Sequence, residues 1–575
     1  MLGTGKERDH DEVRFPFMAK HIPRQPTGNL IQMQKWLRTC RAKHGVCNNW
    51  YPQLNTKGCR PTRILELNEN GARLRCDTQL IDSFEYLALS HMWGEDLSTQ
   101  LLLTDSTLGQ FQEAIPIHKL SSIFSEAIRI TRSLGFSYLW VDSLCIIQHS
   151  AVDWTREANM MSAVYNNAVC TIAFLFPPNI GFCQTRYDPR ASTPCIVRGN
   201  PGHSGCITIT PRQENQFRFL SSNWPLSSRA WVLQEQLLSP RTILYGDRTI
   251  MWECGQMFYD ELDGTITGPS MALKPKIHMS RYSLNQTSDS LSVEARPKSE
   301  MEKHETFSDW ARLIRAYRRR DLSHSSDRVI AIVGIARAFQ SEHGFTYLAG
   351  MWKEQLPSSL LWFINISRTR DMAELFVTRE PRLESVPTWS WLAGPIYKCY
   401  NLVTPKESIE PCFVARFLRF KWPKELINEA PPTAYYNFEG LQVTLELATH
   451  MTTILFKEPY SQDGAPRLSC DSLEEELAAS LGLERTLLKS IYCCDDLETL
   501  YQPPAKVRIA LIAEEVDLNY RHDLRGLALA PGAESGTWKR IGYWKVCVYL
   551  GDDTWKTDSI FLRLEGVKIE NLTLV

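Results

Sequence analysis

The sequence lacks any long apolar run. A membrane-spanning helix needs roughly 18 or more apolar residues in succession, and no stretch approaches that length. The opening residues, MLGTGKERDHDEVRF, carry mixed charges where a secretion signal needs an apolar centre. The 16 cysteines are spread over 575 residues, too thinly for the disulfide framework of a small secreted domain. We therefore expect a cytoplasmic protein without a membrane span.

An excess of charge of one sign is also missing. The 64 lysines and arginines are balanced by 65 aspartates and glutamates, which leaves a formal net charge of -1. Such a chain has no overall field that would attract a polyanion. Nucleic acid is therefore not an expected partner.

Four common catalytic signatures are absent. The sequence contains neither G-x-G-x-x-G nor G-x-x-x-x-G-K-[ST], the glycine-rich loops that hold the phosphates of dinucleotides and nucleoside triphosphates. It also contains neither G-x-S-x-G nor H-E-x-x-H. These absences argue against Rossmann dehydrogenases, P-loop NTPases, serine hydrolases of the α/β-hydrolase type and zinc metalloproteases.

What is present is the pattern of a large α/β protein. The apolar runs at Tyr86–Ser90 and Ser137–Ile147 predict buried strands, and helical patterns follow them in HKLSSIFSEAIRITRSLG and DWTREANMMSAVYNNA. This alternation is typical of a mainly parallel sheet, in which ligands bind at the carboxyl ends of the strands. The loops after Ser90 and after Asp142 are therefore the expected binding loops.

The predicted organisation has five parts. They are an N-terminal extension with a Cys/His cluster (1–60), an α/β domain (61–260), a polar linker or insertion (261–305), a helical, Trp-rich region (306–395) and a β-rich C-terminal unit (396–575). Runs such as GLQVTLEL and YWKVCVYL, separated by turns, predict an antiparallel sheet in the last part. Trp389 and Trp391 are expected to pack on one face of a strand.

Four segments carry a family resemblance. They are YLALSHMWG, SYLWVDSLCIIQ, DWTREANMMSAVYNNAVCTIAF and SSRAWVLQEQLLSPRTILYGDRTIMWEC. In this order they resemble the successive blocks of the fungal heterokaryon-incompatibility (HET) domain, over about Pro61 to Cys254. The resemblance implies a fungal protein of nonself recognition that induces regulated cell death. Its expected partner is a second copy of the chain or an upstream recognition protein.

The HET domain is thought to be related to the Toll/interleukin-1 receptor (TIR) domain, a flavodoxin-like α/β unit whose enzymatic members cleave the glycosidic bond of NAD. LSHMWGEDLS is similar to the first strand and loop of TIR domains, with one extra residue near Trp93. The resemblance implies a flavodoxin/TIR-like sheet and NAD as a candidate substrate. The competing hypothesis is a non-catalytic module that signals by self-assembly, which the same scaffold would serve.

Glu157 is the predicted catalytic residue. On a helix that begins near Asp153 it lies close to the apolar stripe, so its carboxylate is directed toward the interior. An ionised carboxylate can stabilise the oxocarbenium-like centre of N-glycosidic cleavage or activate water. The alternative is a structural carboxylate paired with Arg156 or a nearby backbone amide.

The predicted ligand-binding residues are Ser90, His91, Trp93, Gly94 and Asp142. A glycine lets the backbone approach a phosphate, and a tryptophan can stack on a nicotinamide or adenine ring. Asp142 is a charged residue in an otherwise apolar run, so its carboxylate needs hydrogen-bond partners or a position at the mouth of a binding site. The alternative is that its carboxylate only fastens neighbouring loop amides.

Arg229 and Glu235, in SRAWVLQEQLL, are secondary candidates. Both lie on one predicted helix, and Glu235 competes with Glu157 for any carboxylate role. The alternative is that they are polar tethers between this helix and the sheet.

Cys40, His44, Cys47 and Cys59 form a candidate metal site. Thiolates and imidazole are ligands of tetrahedral zinc, although this spacing is not that of a standard zinc finger. The alternative is that the cysteines pack beneath the first strand of the α/β domain.

Overall fold

The computed structural model describes most of the N-terminal sheet, the central helices and a C-terminal sheet. The described residues are 26–51, 60–69, 71–81, 84–93, 100–176, 195–198, 206–209, 224–246, 250–260, 266–267, 300–365, 383–394, 401–403, 412–413, 416–421, 444–455, 475, 478–479, 488–494, 506–516, 521–549 and 568–575.

Helices lie mainly in the first two thirds of the chain. They are α1 (Pro26–Lys43), α2 (Gly45–Asn48), α3 (Leu108–Glu113), α4 (Ser122–Ser133), α5 (Asp142–Cys145), α6 (Ala151–Asn167), α7 (Ala230–Leu238), α8 (Glu300–Arg318) and α9 (Asp327–His343). Among these helices, none is both long enough and apolar enough to cross a lipid bilayer.

The N-terminal sheet has nine strands. They are β1 (Ile64–Leu67), β2 (Ala72–Arg75), β3 (Leu87–Ser90), β4 (Tyr138–Trp140), β5 (Cys170–Phe174), β8 (Arg241–Tyr245), β9 (Ile250–Cys254), β10 (Phe258–Asp260) and β11 (Ile266–Thr267), while β6 (Cys195–Arg198) and β7 (Cys206–Ile209) pair separately. The spatial order is β11-β10-β9-β8-β5-β3-β4-β1-β2.

This sheet is mixed rather than mainly parallel. Only the four central strands run parallel, through the pairs β4–β3, β3–β5 and β5–β8. The outer pairs are antiparallel. In β8–β9 and β1–β2 the paired strands are consecutive in the chain, and a short connection can join only antiparallel neighbours. The predicted strands at Tyr86–Ser90 and at the start of Ser137–Ile147 are confirmed as buried parallel neighbours, with Ala88 opposite Trp140.

Helix α4 forms where its sequence pattern predicts. Ser121 caps its beginning, with the side-chain oxygen accepting from the Phe124 backbone N–H at 3.3 Å. Gly135, with a φ of 88°, follows its end in a left-handed conformation that glycine adopts without strain. The apolar face, including Ile123 and Ile130, is buried against the sheet core.

The predicted strand at Ser137–Ile147 ends early. Strand β4 stops at Trp140, and Asp142 begins the short helix α5 instead of interrupting a strand. Cys145 donates its backbone N–H to the Val141 carbonyl at 2.8 Å, which closes a helical turn. A fully buried helical turn and a fully buried strand give the same apolar run, so hydrophobic pattern could not separate them.

The first of the two central helices begins earlier than predicted. Helix α8 starts at Glu300, inside the expected linker 261–305, because EMEKHET consists largely of good helix formers. Trp389 and Trp391 are buried as expected, but they lie in consecutive turns rather than on a strand. The indole N–H of Trp391 donates to the Gly350 carbonyl at 2.7 Å, so the tight turns are fastened by side chains.

The remaining strands form the C-terminal region. They are β12 (Tyr347–Leu348), β13 (Met351–Trp352), β14 (Phe363–Asn365), β15 (Asn401–Val403), β16 (Cys412–Phe413), β17 (Arg416–Lys421), β18 (Thr444–Leu455), β19 (Leu488–Cys494), β20 (Lys506–Val516), β21 (Arg521–Pro531), β22 (Thr537–Tyr549) and β23 (Lys568–Leu574). Among the described strands of this region, every pairing is antiparallel except that of β22 with β23, which confirms an antiparallel-rich unit. Strand β18 pairs with both β20 and β23, so β18 and β20–β23 close into a ring.

One hydrophobic cluster joins the parts of the molecule. It contains Leu233 of α7, Trp310 of α8, Phe339 of α9 and Leu527 of β21. Gly334 of α9 faces α6 and α7 so closely that a Cβ there would lie 2.4 Å from the Gln234 Oε1 atom. Helix α7 is therefore held between the N-terminal sheet and the central helices.

Candidate functional site

The two predicted binding loops meet at one edge of the parallel sheet. The indole Nε1 of Trp93 donates to Asp142 Oδ2 at 2.9 Å, and His91 Nδ1 lies 3.8 Å from Asp142 Oδ1. The contact follows from the parallel pairing of β3 and β4, whose carboxyl ends share an edge. Asp142 also accepts the Ser143 backbone N–H at 2.7 Å, as its alternative interpretation expects. Gly94 lies outside the described residues.

His91 is buried beneath this pair. Burial lowers the pKa of His91 to about 4, and the Arg229 guanidinium contributes in the same direction against the opposing effect of Asp142. The imidazole is therefore neutral at pH 7. Its Nε2 atom has no hydrogen-bond partner among the described residues, and its ring meets Phe124 edge-on at 5.0 Å.

Glu235 joins the same group from helix α7. Burial raises the pKa of Glu235 to about 7, while the Arg229 charge and the neighbouring side chains of Ser90 and Tyr165 partly offset that rise. The Tyr165 hydroxyl donates to the Leu89 carbonyl at 3.0 Å, which fixes it at the end of β3. This carboxyl group can therefore be either protonated or ionised near neutral pH.

Arg229 and Arg320 place α7 at the sheet edge. Arg229 donates through Nη1 to the His91 carbonyl at 2.5 Å, and the Ala230 backbone N–H donates to the Asp321 carbonyl at 2.8 Å. Arg320 Nη1 lies 3.4 Å from the Arg229 carbonyl oxygen, to which it donates. Burial lowers the pKa of Arg320 to about 10, against the influence of Glu235. Two cationic side chains thus accompany the one buried carboxyl group.

Glu157 belongs to a different cluster. It is buried as predicted, but its Oε1 atom accepts from Thr62 Oγ1, from Arg156 Nε at 3.2 Å and from Arg63 Nη2 at 3.5 Å. Its Oε2 atom has no partner among the described residues. Burial raises the pKa of Glu157, and the Thr62 and Arg63 contacts act against that rise. The pairing with Arg156 is the one that the structural alternative expects.

Asp153 completes the Glu157 cluster. Arg63 and Arg156 both form ion pairs with it, and the Ile147 backbone N–H donates to it at 2.8 Å. Arg63 also donates to the Cys145 carbonyl at 2.6 Å. These contacts tie the segment before β1 to the first turns of α6.

Glu157 and Asp142 have different contacts. Glu157 contacts Thr62, Arg63 and Arg156, whereas Asp142 contacts residues of its own loop and of the loop after β3. The reason is the orientation of α6, whose Glu157 side faces the segment before β1. Glu235, the rival carboxyl group, occupies the position at the sheet edge.

Comparison with known proteins identifies a family for part of the chain. Residues 86–235 match the heterokaryon incompatibility protein (HET) family. This HET segment begins at the residue before β3 and ends at Glu235, so it contains every residue of the sheet-edge group from Ser90 to Glu235. The match supports a role in heterokaryon incompatibility and cell death in general. No curated protein and no solved structure matches the chain.

A cysteine and histidine cluster lies outside the HET segment. The potential ligand atoms of Cys40, His44, Cys47 and Cys254 are buried and lie within 4.8 Å of one another. Cys40 and Cys47 hydrogen-bond to the Cys254 sulfur and lower the pKa of Cys254 well below its ordinary value. Three of the four predicted ligands come together. Cys59 lies outside the described residues.

Sequence reasoning missed several of these residues. Tyr165 belongs to no recognisable motif, and Arg320 stands in the run RAYRRRD, which is typical of a solvated helix end. Thr62 and Arg63 precede the first strand by one or two residues and carry no motif. Cys254 is 210 positions from His44, so only the position of a cysteine at the end of a hairpin strand could have indicated it.

Proposed function

We propose that the chain acts in heterokaryon incompatibility by cleaving the N-glycosidic bond of a nicotinamide nucleotide such as NAD at the edge of the parallel sheet. One observation supports the proposal most strongly. A buried carboxyl group, Glu235, with its pKa raised to about 7, lies at the carboxyl ends of the central strands beside Ser90 and Arg229.

In this proposal Glu235 handles the proton of the reaction. The bond between the ribosyl C1′ atom and the nicotinamide nitrogen breaks, and its electron pair leaves with nicotinamide. Water attacks C1′, and its proton passes to ionised Glu235. The products are nicotinamide and ADP-ribose, and no oxidant or reductant is consumed.

Trp93 and Asp142 form the outer part of the proposed site. The Asp142 side chain is 21% exposed and Trp93 is partly exposed, whereas Ser90, His91 and Glu235 are buried behind them. An indole held by Asp142 presents a flat face on which an aromatic base can stack. The nucleotide would therefore meet Trp93 first, and local movement would admit its ribose to Glu235.

Glu157 is the second carboxyl candidate. Its free Oε2 atom leaves it one oxygen for a ligand, but three donors already hold Oε1. We therefore propose Glu235 as the reacting carboxylate and Glu157 as the residue that fastens α6.

The test is nicotinamide release from NAD by the full chain. We expect Glu235→Gln to lose about 100-fold or more of the activity, the range typical of a lost general base. Glu157→Gln should lose thermal stability first and retain activity where it is folded. The matched control is Glu514→Gln, because Glu514 is a buried glutamate of the C-terminal ring that pairs with His522 at 3.0 Å.

Two outcomes would overturn the enzymatic proposal. One is the absence of nicotinamide release at every protein concentration, with cell death retained in Glu235→Gln. The other is full activity in a folded Glu235→Gln variant, which would show that Glu235 does not take the proton.

A second candidate function is a non-catalytic assembly module, as the resemblance to TIR domains also allows. The observation that favours it is Val152, an apolar side chain in the first turn of α6 that is 82% exposed. If copies of the chain associate there, Val152→Asp should abolish association in size-exclusion chromatography, and with it cell death. Leu80→Asp is the matched control, because Leu80 is 78% exposed on a turn elsewhere. Equal behaviour of the two variants would reject this surface.

A further inference from the structure

We propose that Cys40, His44, Cys47 and Cys254 bind one structural zinc ion that fastens the N-terminal helices to strand β9. Three of these residues come from α1, α2 and the residue between them, and the fourth is the last residue of β9. The proposal is independent of the reaction at the sheet edge.

The local backbone places three ligands on one side of a helical turn. His44 donates its backbone N–H to the Cys40 carbonyl at 2.9 Å, and Cys47 donates to the His44 carbonyl at 3.0 Å. Side chains four residues apart in a helix share a face, so Cys40 and His44 face the same way. The spacing Cys-x₃-His-x₂-Cys therefore follows from the turn that joins α1 to α2.

The distances match a tetrahedral metal site. With Zn–S near 2.3 Å and Zn–N near 2.0 Å, two ligand sulfurs should lie about 3.8 Å apart, and a sulfur and a nitrogen about 3.5 Å. His44 Nδ1 lies 3.4 Å from Cys254 Sγ, and no pair of ligand atoms exceeds 4.8 Å. The distances between ligand atoms would have to shorten by at most about 1 Å for all four atoms to coordinate one zinc ion.

Charge compensation is a second, independent observation. A zinc ion with three thiolates and one neutral imidazole carries a net charge of about -1, which is costly in the interior. Buried Arg241 donates through Nε to Cys40 Sγ at 3.2 Å and through Nη1 to the Val169 carbonyl at 3.2 Å. Among the described residues no carboxylate forms an ion pair with Arg241, so thiolates are its natural anionic partner.

The cluster is closed to solvent. A Cβ atom on Gly255 would lie 2.2 Å from the Trp50 ring and 3.2 Å from Cys47 Sγ, so the indole covers the end of β9 beside the ligands. The Trp50 N–H donates to the Leu237 carbonyl at 3.2 Å, which holds that cover in place. Four protein ligands and no open position are typical of structural zinc, and thiolate with imidazole disfavours magnesium and calcium.

The test is the metal content of the purified full chain and its cysteine variants. We expect about one zinc per chain, as one set of four ligands supplies one ion. Cys254→Ser should lose most of the zinc. Cys145→Ser is the matched control, because Cys145 is a buried thiol outside the cluster. Cys59→Ser should also keep the metal, since four other ligands already complete the tetrahedron.

Two further measurements serve if Cys254→Ser fails to fold. Cobalt(II) in place of zinc in the unaltered chain should give the intense visible bands of a tetrahedral thiolate complex. Arg241→Met should weaken zinc about 10- to 100-fold in competition with a chelator, the usual effect of losing a residue that supports the ligands. Less than a tenth of an equivalent of zinc after reconstitution, or metal lost in Cys59→Ser but kept in Cys254→Ser, would overturn the proposal.

Discussion

Glu157 and Glu235 are two buried glutamates with different partners. Glu157 shares Arg63 and Arg156 with Asp153, so its cluster contains two cations and two carboxylates. Glu235 lies near the charges of Arg229 and Asp142 and near the hydroxyl groups of Ser90 and Tyr165. Burial raises the pKa of both glutamates, but only Glu157 is held in a cluster of ion pairs, whereas Glu235 can bind and release a proton near neutral pH.

The difference shows that burial alone does not indicate a reactive carboxyl group. Buried ion pairs fix the geometry of the elements that carry them, and removing one partner is expensive because the other charge remains. A carboxyl group whose pKa is raised to near neutral destabilises the folded chain as the pH rises above its unfolded pKa, so its retention favours a functional role. The following measurements test that contrast.

Arg63→Leu should produce the largest effect. It leaves Asp153 and Glu157 buried with only the half-exposed Arg156, so we expect about 3–5 kcal/mol of lost stability in urea unfolding. Arg73→Leu is the control, because Arg73 pairs with Glu66 at 2.5 Å on the surface and should contribute about 1 kcal/mol or less. Similar losses of stability in Arg63→Leu and Arg73→Leu would show that the buried ion pairs of Glu157 stabilise the chain no more than a surface pair.

Glu235→Gln should stabilise the chain in a pH-dependent way. The pKa of Glu235 rises from 4.5 to about 7 on folding, so the folded state holds a proton that the unfolded state has released. Stability is therefore lost as pH rises from 4.5 toward 7, and the variant should gain about 2–3 kcal/mol relative to the unaltered chain between about pH 5 and pH 8. Urea unfolding across that range measures it, and a gain independent of pH would contradict the assignment.

His91→Gln should have the opposite pH dependence and a smaller effect. The pKa of His91 falls from 6.5 to about 4 on folding, so the unfolded state binds a proton first as pH decreases. The unaltered chain should lose about 2 kcal/mol between about pH 7 and pH 5, and the variant should lose correspondingly less. His118→Gln, at an exposed histidine, is the control for the loss of a histidine elsewhere in the chain.

Trp93→Phe should have the smallest effect on stability. It removes the 2.9 Å hydrogen bond to partly exposed Asp142, which should cost about 1 kcal/mol in thermal unfolding. If Trp93 also stacks on a base, phenylalanine should retain most NAD turnover while Trp93→Ala loses it. Equal NAD turnover in the two variants would show that Trp93 does not contribute to nucleotide binding.

The helices and strands could be predicted from the sequence, but the side-chain contacts between residues far apart in the chain could not. Helix α4 and the β8–β9 hairpin follow local rules, namely a serine cap, a glycine stop and two β-rich runs around a turn. The helical period predicts that Glu157 faces inward. Its hydrogen-bond partner Thr62 lies 95 positions away, and a periodic pattern cannot predict a contact over that separation. Cys254 was missed for the same reason.

The mixed sheet limits how the HET segment can be transplanted. Of the nine strands, residues 86–235 contain only β3, β4 and β5, and their neighbours β1 and β8 lie outside. Excised alone, the segment would present two bare sheet edges and would leave Glu157 without Arg63. A transplanted segment would therefore keep these strand and ion-pair partners only if it began before Thr62 and extended past Cys254.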